Sequence, residues 1–158
     1  MSKYIFITSN CELPEVDFTN EKTITVNEAK SLGIRPPNWC SWEELGEEIE
    51  ISYCENEDDL GNIVIHREYG WDQELSCCKD KKYTYMVNCS FDKKRAKQLL
   101  DYIKDNHHTT DNIYVCSIWA GDNVKIIPKE ILTDDLTIDY IMRIMDNFNY
   151  CLKIKNNF

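Results

Sequence analysis

Glycine is scarce in this 158-residue sequence, and no two glycines lie close enough together to form a phosphate-binding loop. The five are Gly33, Gly46, Gly61, Gly70 and Gly121. The dinucleotide-binding pattern G-x-G-x-x-G and the P-loop both need closely spaced glycines, because backbone N–H groups must approach phosphate oxygens there. The G-x-S-x-G motif of nucleophile-elbow hydrolases is also absent. The sequence therefore lacks the usual signatures of nucleotide binding and of serine hydrolysis.

Long hydrophobic runs are missing as well, since no apolar run exceeds the four residues reached at Tyr4–Ile7. A transmembrane helix needs about 20 apolar residues, and a signal peptide needs an apolar segment of about 7–15. We therefore expect a soluble, cytoplasmic protein that does not contact a membrane. Its hydrophobic fraction of 42% is sufficient for a buried core in a chain of this length.

The spacing of the cysteines lacks the C-x-x-C motif of zinc sites, although there are eight of them. They are Cys11, Cys40, Cys54, Cys77, Cys78, Cys89, Cys116 and Cys151. Cys77 and Cys78 are adjacent, which is unfavourable for a structural zinc site with relaxed geometry. We expect no metal and no cofactor, and we expect mostly reduced cysteines that pack as small apolar residues inside a cell. A reactive pair at Cys77-Cys78 is the alternative.

An acidic stretch at 55–59 invites comparison with an EF-hand calcium loop. If Gly61 occupies the sixth position of such a loop, Leu60 falls at position five and Arg67 at position twelve. Leucine has no ligating oxygen and arginine repels the ion, so calcium binding is excluded. The stretch is instead predicted to be a solvated loop.

The net charge of −10 is unevenly distributed along the chain. Residues 1–80 contain 18 Asp and Glu against 6 Lys and Arg, whereas residues 81–158 contain 10 against 12. An acidic surface repels nucleic-acid phosphates and attracts basic proteins. We therefore expect no direct contact with nucleic acid and propose a basic protein as the partner. Acidity that serves solubility alone is the alternative.

Hydrophobic periodicity predicts an α+β fold. The C-terminal half reads in the order β-α-β-β-α-β, a split βαβ arrangement, with Ser90 capping its first helix. Its predicted strands are 83–89, 113–119, 124–127 and 150–154, and its helices begin near 90 and 135. In the N-terminal half we predict strands at 3–8, 23–26, 48–54 and 63–65, the last two paired as a hairpin, and helix starts at Asn27 and Ser41.

We predict one α+β domain over residues 1–158, with a mainly antiparallel sheet and helices on one face. It would combine an acidic, β-rich half over residues 1–80, which supplies extra N-terminal strands, with the split βαβ-like half over residues 81–158. The sequence leaves the order of the N-terminal strands open.

Tryptophan among carboxylates is the best functional signal in the sequence. Tryptophan and tyrosine provide many of the strong anchors in protein interfaces, and an acidic rim speeds the arrival of a basic partner. The predicted partner-binding residues are Trp39, Trp42, Glu43, Glu44, Glu47, Glu48, Glu57, Asp58, Asp59 and Trp71. The alternative is that Trp39 and Trp42 cover the core beneath a proline turn.

We therefore favour a non-enzymatic binding module over two other functions. A small enzyme could use His66 with Glu68 as a general base, or a pocket near His107 and His108. A homodimeric subunit could associate through an exposed β edge. In size, acidity and fold class the chain resembles bacterial immunity or inhibitor proteins that neutralise basic nuclease toxins. That resemblance of type implies carboxylates that occupy the places of phosphates, and no catalytic residues.

Overall fold

The computed structural model describes residues 2–157 and contains two compact units. The main unit comprises described residues 2–18 and 61–157, and the acidic unit comprises Thr19–Leu60. Each unit has a sheet and a hydrophobic core of its own. Among residues 2–157, every helix is too short or too polar to cross a bilayer.

The main unit is built on a seven-stranded, mostly antiparallel sheet. Its strands are β1 (Lys3–Ser9), β2 (Val16–Asp17), β5 (Val64–Glu68), β6 (Tyr83–Asn88), β7 (Asn112–Trp119), β8 (Lys129–Leu132) and β9 (Tyr150–Lys155). Their order across the sheet is β2-β5-β6-β1-β7-β9-β8, and β8 pairs with β9 in the parallel direction. The predicted α+β class with a mainly antiparallel sheet is confirmed.

Two helices, α2 (Lys93–Asn106) and α3 (Ile138–Asp146), pack on one face of this sheet. Leu99, Ile103, Ile141 and Ile144 are fully buried against strand residues such as Ile5. Because α2 follows β6 and α3 lies between β8 and β9, the predicted β-α-β-β-α-β order is confirmed. We call this side of the sheet the helix face.

Strand β1 lies in the middle of the sheet, hydrogen-bonded to β6 on one side and to β7 on the other. Its apolar run is buried on both faces, with Ile5 and Ile7 directed to the helix face and Phe6 to the opposite face. The first strand of the chain therefore lies between two strands of the C-terminal half and joins them into one sheet.

The opposite face is covered by an irregular segment, residues 71–78, rather than by a helix. Leu75 and Cys78 are buried there against Phe6, Cys116 and Cys151. We call this side the cysteine face. No pattern in the sequence predicted an element for this segment or placed it against the sheet.

The acidic unit contains a two-stranded sheet of β3 (Lys22–Thr25) and β4 (Glu50–Tyr53), together with α1 (Val26–Ser31). Its core is small and consists of Val26, Ala29 and Trp42, with partly buried apolar residues around them. A single 3₁₀ turn, Trp42–Glu44, places Trp42 in that core.

Several predicted boundaries and one pairing were wrong. Strand β4 pairs with β3, and β5 pairs with β2 and β6, so the predicted hairpin between 48–54 and 63–65 does not form. The strand expected at 124–127 lies at Lys129–Leu132, where Ile131 is buried while Ile127 is 80% exposed.

The predicted helix caps were displaced by two residues. Helix α2 is capped by Asp92 rather than by Ser90, because the Asp92 carboxylate accepts from the Arg95 N–H at 2.9 Å. Helix α1 is capped by Thr25 rather than by Asn27, since Thr25 and Glu28 form a reciprocal capping box.

Candidate functional site

The segment 39–44 of the acidic unit contains the two predicted tryptophan anchors. The predicted cap at Ser41 forms: its hydroxyl accepts from the Glu43 N–H at 3.3 Å, and the Glu44 carboxylate accepts from the Ser41 N–H at 3.3 Å. This reciprocal capping fixes one helical turn directly after Cys40. The turn sends the side chains of Trp39 and Trp42 into different environments.

Trp42 is a core residue. Its side chain is only 8% exposed and packs with Val26 and Ala29. The indole Nε1–H donates to the Ile34 carbonyl oxygen at 2.8 Å, which satisfies the ring's one polar group. Trp42 therefore holds the acidic unit together from inside.

Trp39 is 84% exposed. Its ring lies at an apolar groove of about 460 Å3 within the acidic unit. Ile34, Pro37 and Leu60 are among the apolar residues that line the groove, and Glu57 is an acidic residue in its wall. Leu60 is itself half exposed. The groove therefore combines accessible apolar surface with two charged residues, Glu57 and the exposed Arg35. An apolar centre with charged groups around it is typical of a protein-binding site.

The acidic unit carries most of the net charge of the chain. Its 42 residues contain eleven Asp and Glu against three Lys and Arg, a net charge of −8 out of −10. All eleven carboxylates are exposed except that of Asp59, which is half-buried. A compact unit of this length has a radius of gyration of roughly 9 Å, close to the Debye length of about 8 Å at physiological salt. Neighbouring carboxylates therefore act together on an approaching charge, whereas carboxylates on opposite sides of the unit are largely screened from each other.

Some of these carboxylates have structural roles, and others do not. Glu28 and Glu44 cap their helical turns, and Glu47 lies 3.8 Å from the Lys30 Nζ. The pKa of Glu43 is lowered by a hydrogen bond from the Ser41 hydroxyl, so this carboxylate stays ionised in mildly acidic solution. Asp59 accepts from the Asn20 amide at 3.3 Å.

Five acidic residues of the unit have neither an ion pair nor a side-chain hydrogen bond within residues 2–157. These residues are Glu21, Glu48, Glu50, Glu55 and Glu57. Their side chains are exposed, and no lysine or arginine of the described residues lies within ion-pair distance of them.

Trp71, the third predicted anchor, belongs to the main unit and is half-buried on the cysteine face. Its ring centroid lies 5.1 Å from that of Tyr4 and 4.8 Å from that of Phe6. These contacts give Trp71 a packing role over the central strand β1. Its predicted role in partner binding stays a prediction.

The histidines considered for an enzyme lie in two different places. His66 Nε2 is 2.8 Å from Glu68 Oε1 on β5, so the predicted histidine–carboxylate couple forms. The rings of His107 and His108 are nearly perpendicular, with centroids 6.2 Å apart, beside a cleft of about 180 Å3. Of these three residues, His108 is exposed, whereas His66 and His107 are half-buried.

A group of four cysteines on the cysteine face escaped the sequence analysis. Cys77, Cys78, Cys116 and Cys151 bring their sulfur atoms within 4.8 Å of one another. Cys116 and Cys151 face each other across β7 and β9 and are joined as a disulfide, while the other six cysteines are free thiols. The Cys77 and Cys78 sulfurs are hydrogen-bonded to each other, which lowers the pKa of Cys77 and raises that of Cys78. Burial raises the pKa of Cys78 further.

The sequence did contain a signal for this group. Cys116 and Cys151 each alternate with apolar residues in a strand, so a sheet that paired those strands in register would place both sulfurs on one face. Residue spacing does not reveal that β7 pairs with β9. It also does not reveal that residues 77 and 78 pack over that face of the sheet.

The chain matches no protein-family model, no curated protein and no solved structure. Its function is therefore inferred from its own side chains.

Proposed function

We propose that the acidic unit is a protein-binding module that engages a basic surface of another protein and catalyses no reaction on it. The observation that carries this proposal is the 84% exposed ring of Trp39, at an apolar groove in a unit of net charge −8. Neither the ring nor the charge is needed for the core of the unit, which Trp42 fills.

Trp39 supplies the apolar part of the proposed interface. A tryptophan ring buries about 150–250 Å2 when it enters a partner's pocket, and tryptophan is strongly enriched among the residues that dominate binding energy. Leu32 and Ile49 of the same unit are 67% and 45% exposed, so further apolar surface is available for contact.

The carboxylates supply steering and specificity. Glu48, Glu55 and Glu57 can pair with a partner's lysine or arginine without first breaking an ion pair in this chain. Negative charge spread over a small unit raises the association rate with a basic protein and disfavours nucleic acid. The partner class that fits best is a protein whose basic cleft binds phosphates, and occupation of that cleft by carboxylates would inhibit it.

Photo-cross-linking tests this proposal. Benzoylphenylalanine replaces Trp39 in one variant and Tyr69 in a control, because Tyr69 is a 76% exposed aromatic residue of the main unit. Both variants are irradiated in an extract of the native host. We expect a discrete basic protein to be cross-linked through position 39 and not through position 69. The same products from both positions, or none from position 39, would overturn the proposal.

A further inference from the structure

The four sulfurs of the cysteine face form a compact group on a rigid platform. Cys116 and Cys151 lie directly opposite each other on β7 and β9, with Cα atoms 4.1 Å apart. Cys77 and Cys78 come from the 3₁₀ turn Ser76–Cys78, which brings their Sγ atoms to 3.4 Å from each other. The Cys116 Sγ is 3.5 Å from that of Cys78 and 3.9 Å from that of Cys77.

The three separations among the sulfurs of Cys77, Cys78 and Cys116 are close to the edges of a thiolate coordination tetrahedron. With Zn–S bonds of about 2.3 Å, the sulfurs of a tetrahedral four-cysteine site are roughly 3.8 Å apart. Although Cys77 and Cys78 are adjacent in sequence, the 3₁₀ turn directs both of their sulfurs towards Cys116. Both can therefore bind the same metal ion. The Cys151 sulfur lies within 4.8 Å of the other three and would be the fourth ligand once its disulfide with Cys116 is reduced.

The surroundings suit a bound ion that is closed off from solvent. Cys78, Cys116 and Cys151 are buried, whereas Cys77 is half-buried and keeps some contact with solvent. The Thr8 hydroxyl is buried beside the Cys78 sulfur and has no hydrogen-bond partner within residues 2–157. A thiolate at Cys78 would accept a hydrogen bond from that hydroxyl, as metal-bound thiolates do from second-shell donors.

We propose that Cys77, Cys78, Cys116 and Cys151 bind one thiophilic metal ion of the zinc class when all four are reduced. Four thiolates with no carboxylate or imidazole among them select soft or borderline ions and disfavour magnesium and calcium. The Cys116–Cys151 disulfide and the metal exclude each other, because a sulfur in a disulfide cannot act as a thiolate ligand. The bound ion would fasten the segment 71–78 to strands β7 and β9.

Cobalt titration of the reduced, metal-free full chain tests this site under anaerobic conditions. We expect one equivalent of Co2+ to bind, with the absorption of tetrahedral cobalt and of sulfur-to-cobalt charge transfer, and one equivalent of Zn2+ to displace it. Zn2+ should also raise the melting temperature of the reduced chain. A chain that keeps all eight thiols titratable in the presence of Co2+ and shows no such absorption would overturn the proposal.

Variants separate this site from adventitious binding. Cys77→Ser removes the half-buried ligand, and Cys151→Ser removes a buried ligand. Cys40→Ser is the control, because it changes a free cysteine of the acidic unit. We expect at least a ~100-fold loss of Co2+ affinity in folded Cys77→Ser and Cys151→Ser, and no loss in Cys40→Ser. Equal affinities in Cys77→Ser and Cys40→Ser, with both chains folded by circular dichroism, would overturn the four-cysteine assignment. The outcome of these cobalt titrations is independent of the protein-binding function that we propose for Trp39.

Discussion

Trp39 and Trp42 are three positions apart, yet substitution of each should change a different property. Trp42 fills a core made of few residues and donates to the Ile34 carbonyl at 2.8 Å, while Trp39 is surrounded largely by solvent. The sequence identified both rings and could not separate them, because their environments depend on the Ser41 capping box and on what α1 packs against.

Trp42→Ala should destabilise the acidic unit by about 3–5 kcal/mol, since it removes a large buried ring and leaves the Ile34 carbonyl without its donor. Trp39→Ala should change stability by less than ~0.5 kcal/mol. Amide hydrogen exchange over residues 19–60 measures the stability of the acidic unit in both variants. Equal protection in the two variants would contradict the assignment of Trp42 to the core.

Gly61 is required for its small size. A Cβ atom there would lie 2.4 Å from the Ser90 Oγ and 3.0 Å from the Arg95 Nη2. We expect Gly61→Ala to destabilise the main unit by about 1–3 kcal/mol through this overlap. Gly46→Ala is the matched control, because its Cβ would approach Ile49 no closer than 3.7 Å.

Chemical denaturation of the two alanine variants measures the difference in their free energies of unfolding. The double variant Gly61→Ala/Ser90→Ala should recover part of the stability that Gly61→Ala loses, since it removes the nearest overlapping oxygen. If Gly61→Ala loses no more stability than Gly46→Ala, the overlap is relieved without strain and the prediction is wrong.

At the scale of elements, local sequence patterns correctly predicted those helices and strands that are determined by residues close together in the chain. The positions Ala96, Leu99, Leu100 and Ile103 recur with helical spacing and are all buried in α2. Strands β6, β7 and β9 were likewise found within a residue or so of their ends. Alternation of apolar residues and turn composition suffice for such elements, because the same residues both form the element and face the core.

Pairing between elements was less predictable. Strands 48–54 and 63–65 are neighbours in sequence and resemble a hairpin, but Ile51 faces Ile24 on β3, and Ile65 faces Val87 on β6. These partners are set by which cores form, not by the turn between the strands. The displacement of β8 has the same cause: Ile131 is the apolar residue that reaches the helix-face core.

The edge strand β8 carries a pH-sensitive contact with β9. Glu130 accepts from Lys155 at 2.5 Å and from Lys153 at 3.0 Å, and these hydrogen bonds lower the pKa of Glu130 below its ordinary value. Because the folded chain favours the charged carboxylate, this contribution to stability is complete above the unfolded pKa and is lost as the pH falls through the lowered folded pKa.

Carboxyl-detected NMR titration measures this effect. The Glu130 resonance should titrate below the ordinary glutamate range, and it should return to that range in Lys153→Met/Lys155→Met. A pKa that stays lowered in the double variant would assign the shift to another cause. Protection of the β8 amides should decrease over the same pH interval in which Glu130 becomes protonated.

At the scale of the whole molecule, charge composition was the most informative sequence property. The excess of acid in residues 1–80 is visible by counting, and eleven of those carboxylates lie in the compact unit Thr19–Leu60. The limits of that unit were not predictable from composition. Strand β1 belongs to the main unit because it pairs with β6 and β7, which lie more than seventy residues further along the chain.

The cysteine cluster illustrates the same limit for a site. Its four residues come from a turn and two strands that are separated by up to 74 positions in sequence. Spacing rules recognise metal sites whose ligands are close together in the chain, and they miss sites that a sheet assembles. Trp39 and its acidic neighbours, by contrast, lie within one stretch of the sequence, so their proximity along the chain is visible without the fold. Their role in partner binding stays a prediction.

The salt dependence of binding tests the central claim most directly. The partner cross-linked through position 39 is titrated against the natural chain, against Glu48→Lys/Glu55→Lys/Glu57→Lys, and against the main-unit control Glu74→Lys/Asp105→Lys/Asp111→Lys, which has the same total charge. We predict that natural-chain affinity falls at least ~tenfold between about 50 mM and about 500 mM salt. The acidic-unit reversals should abolish binding while the control reversals largely preserve it. Equal affinities of the two triple variants, or affinity that is unchanged by salt, would contradict the account.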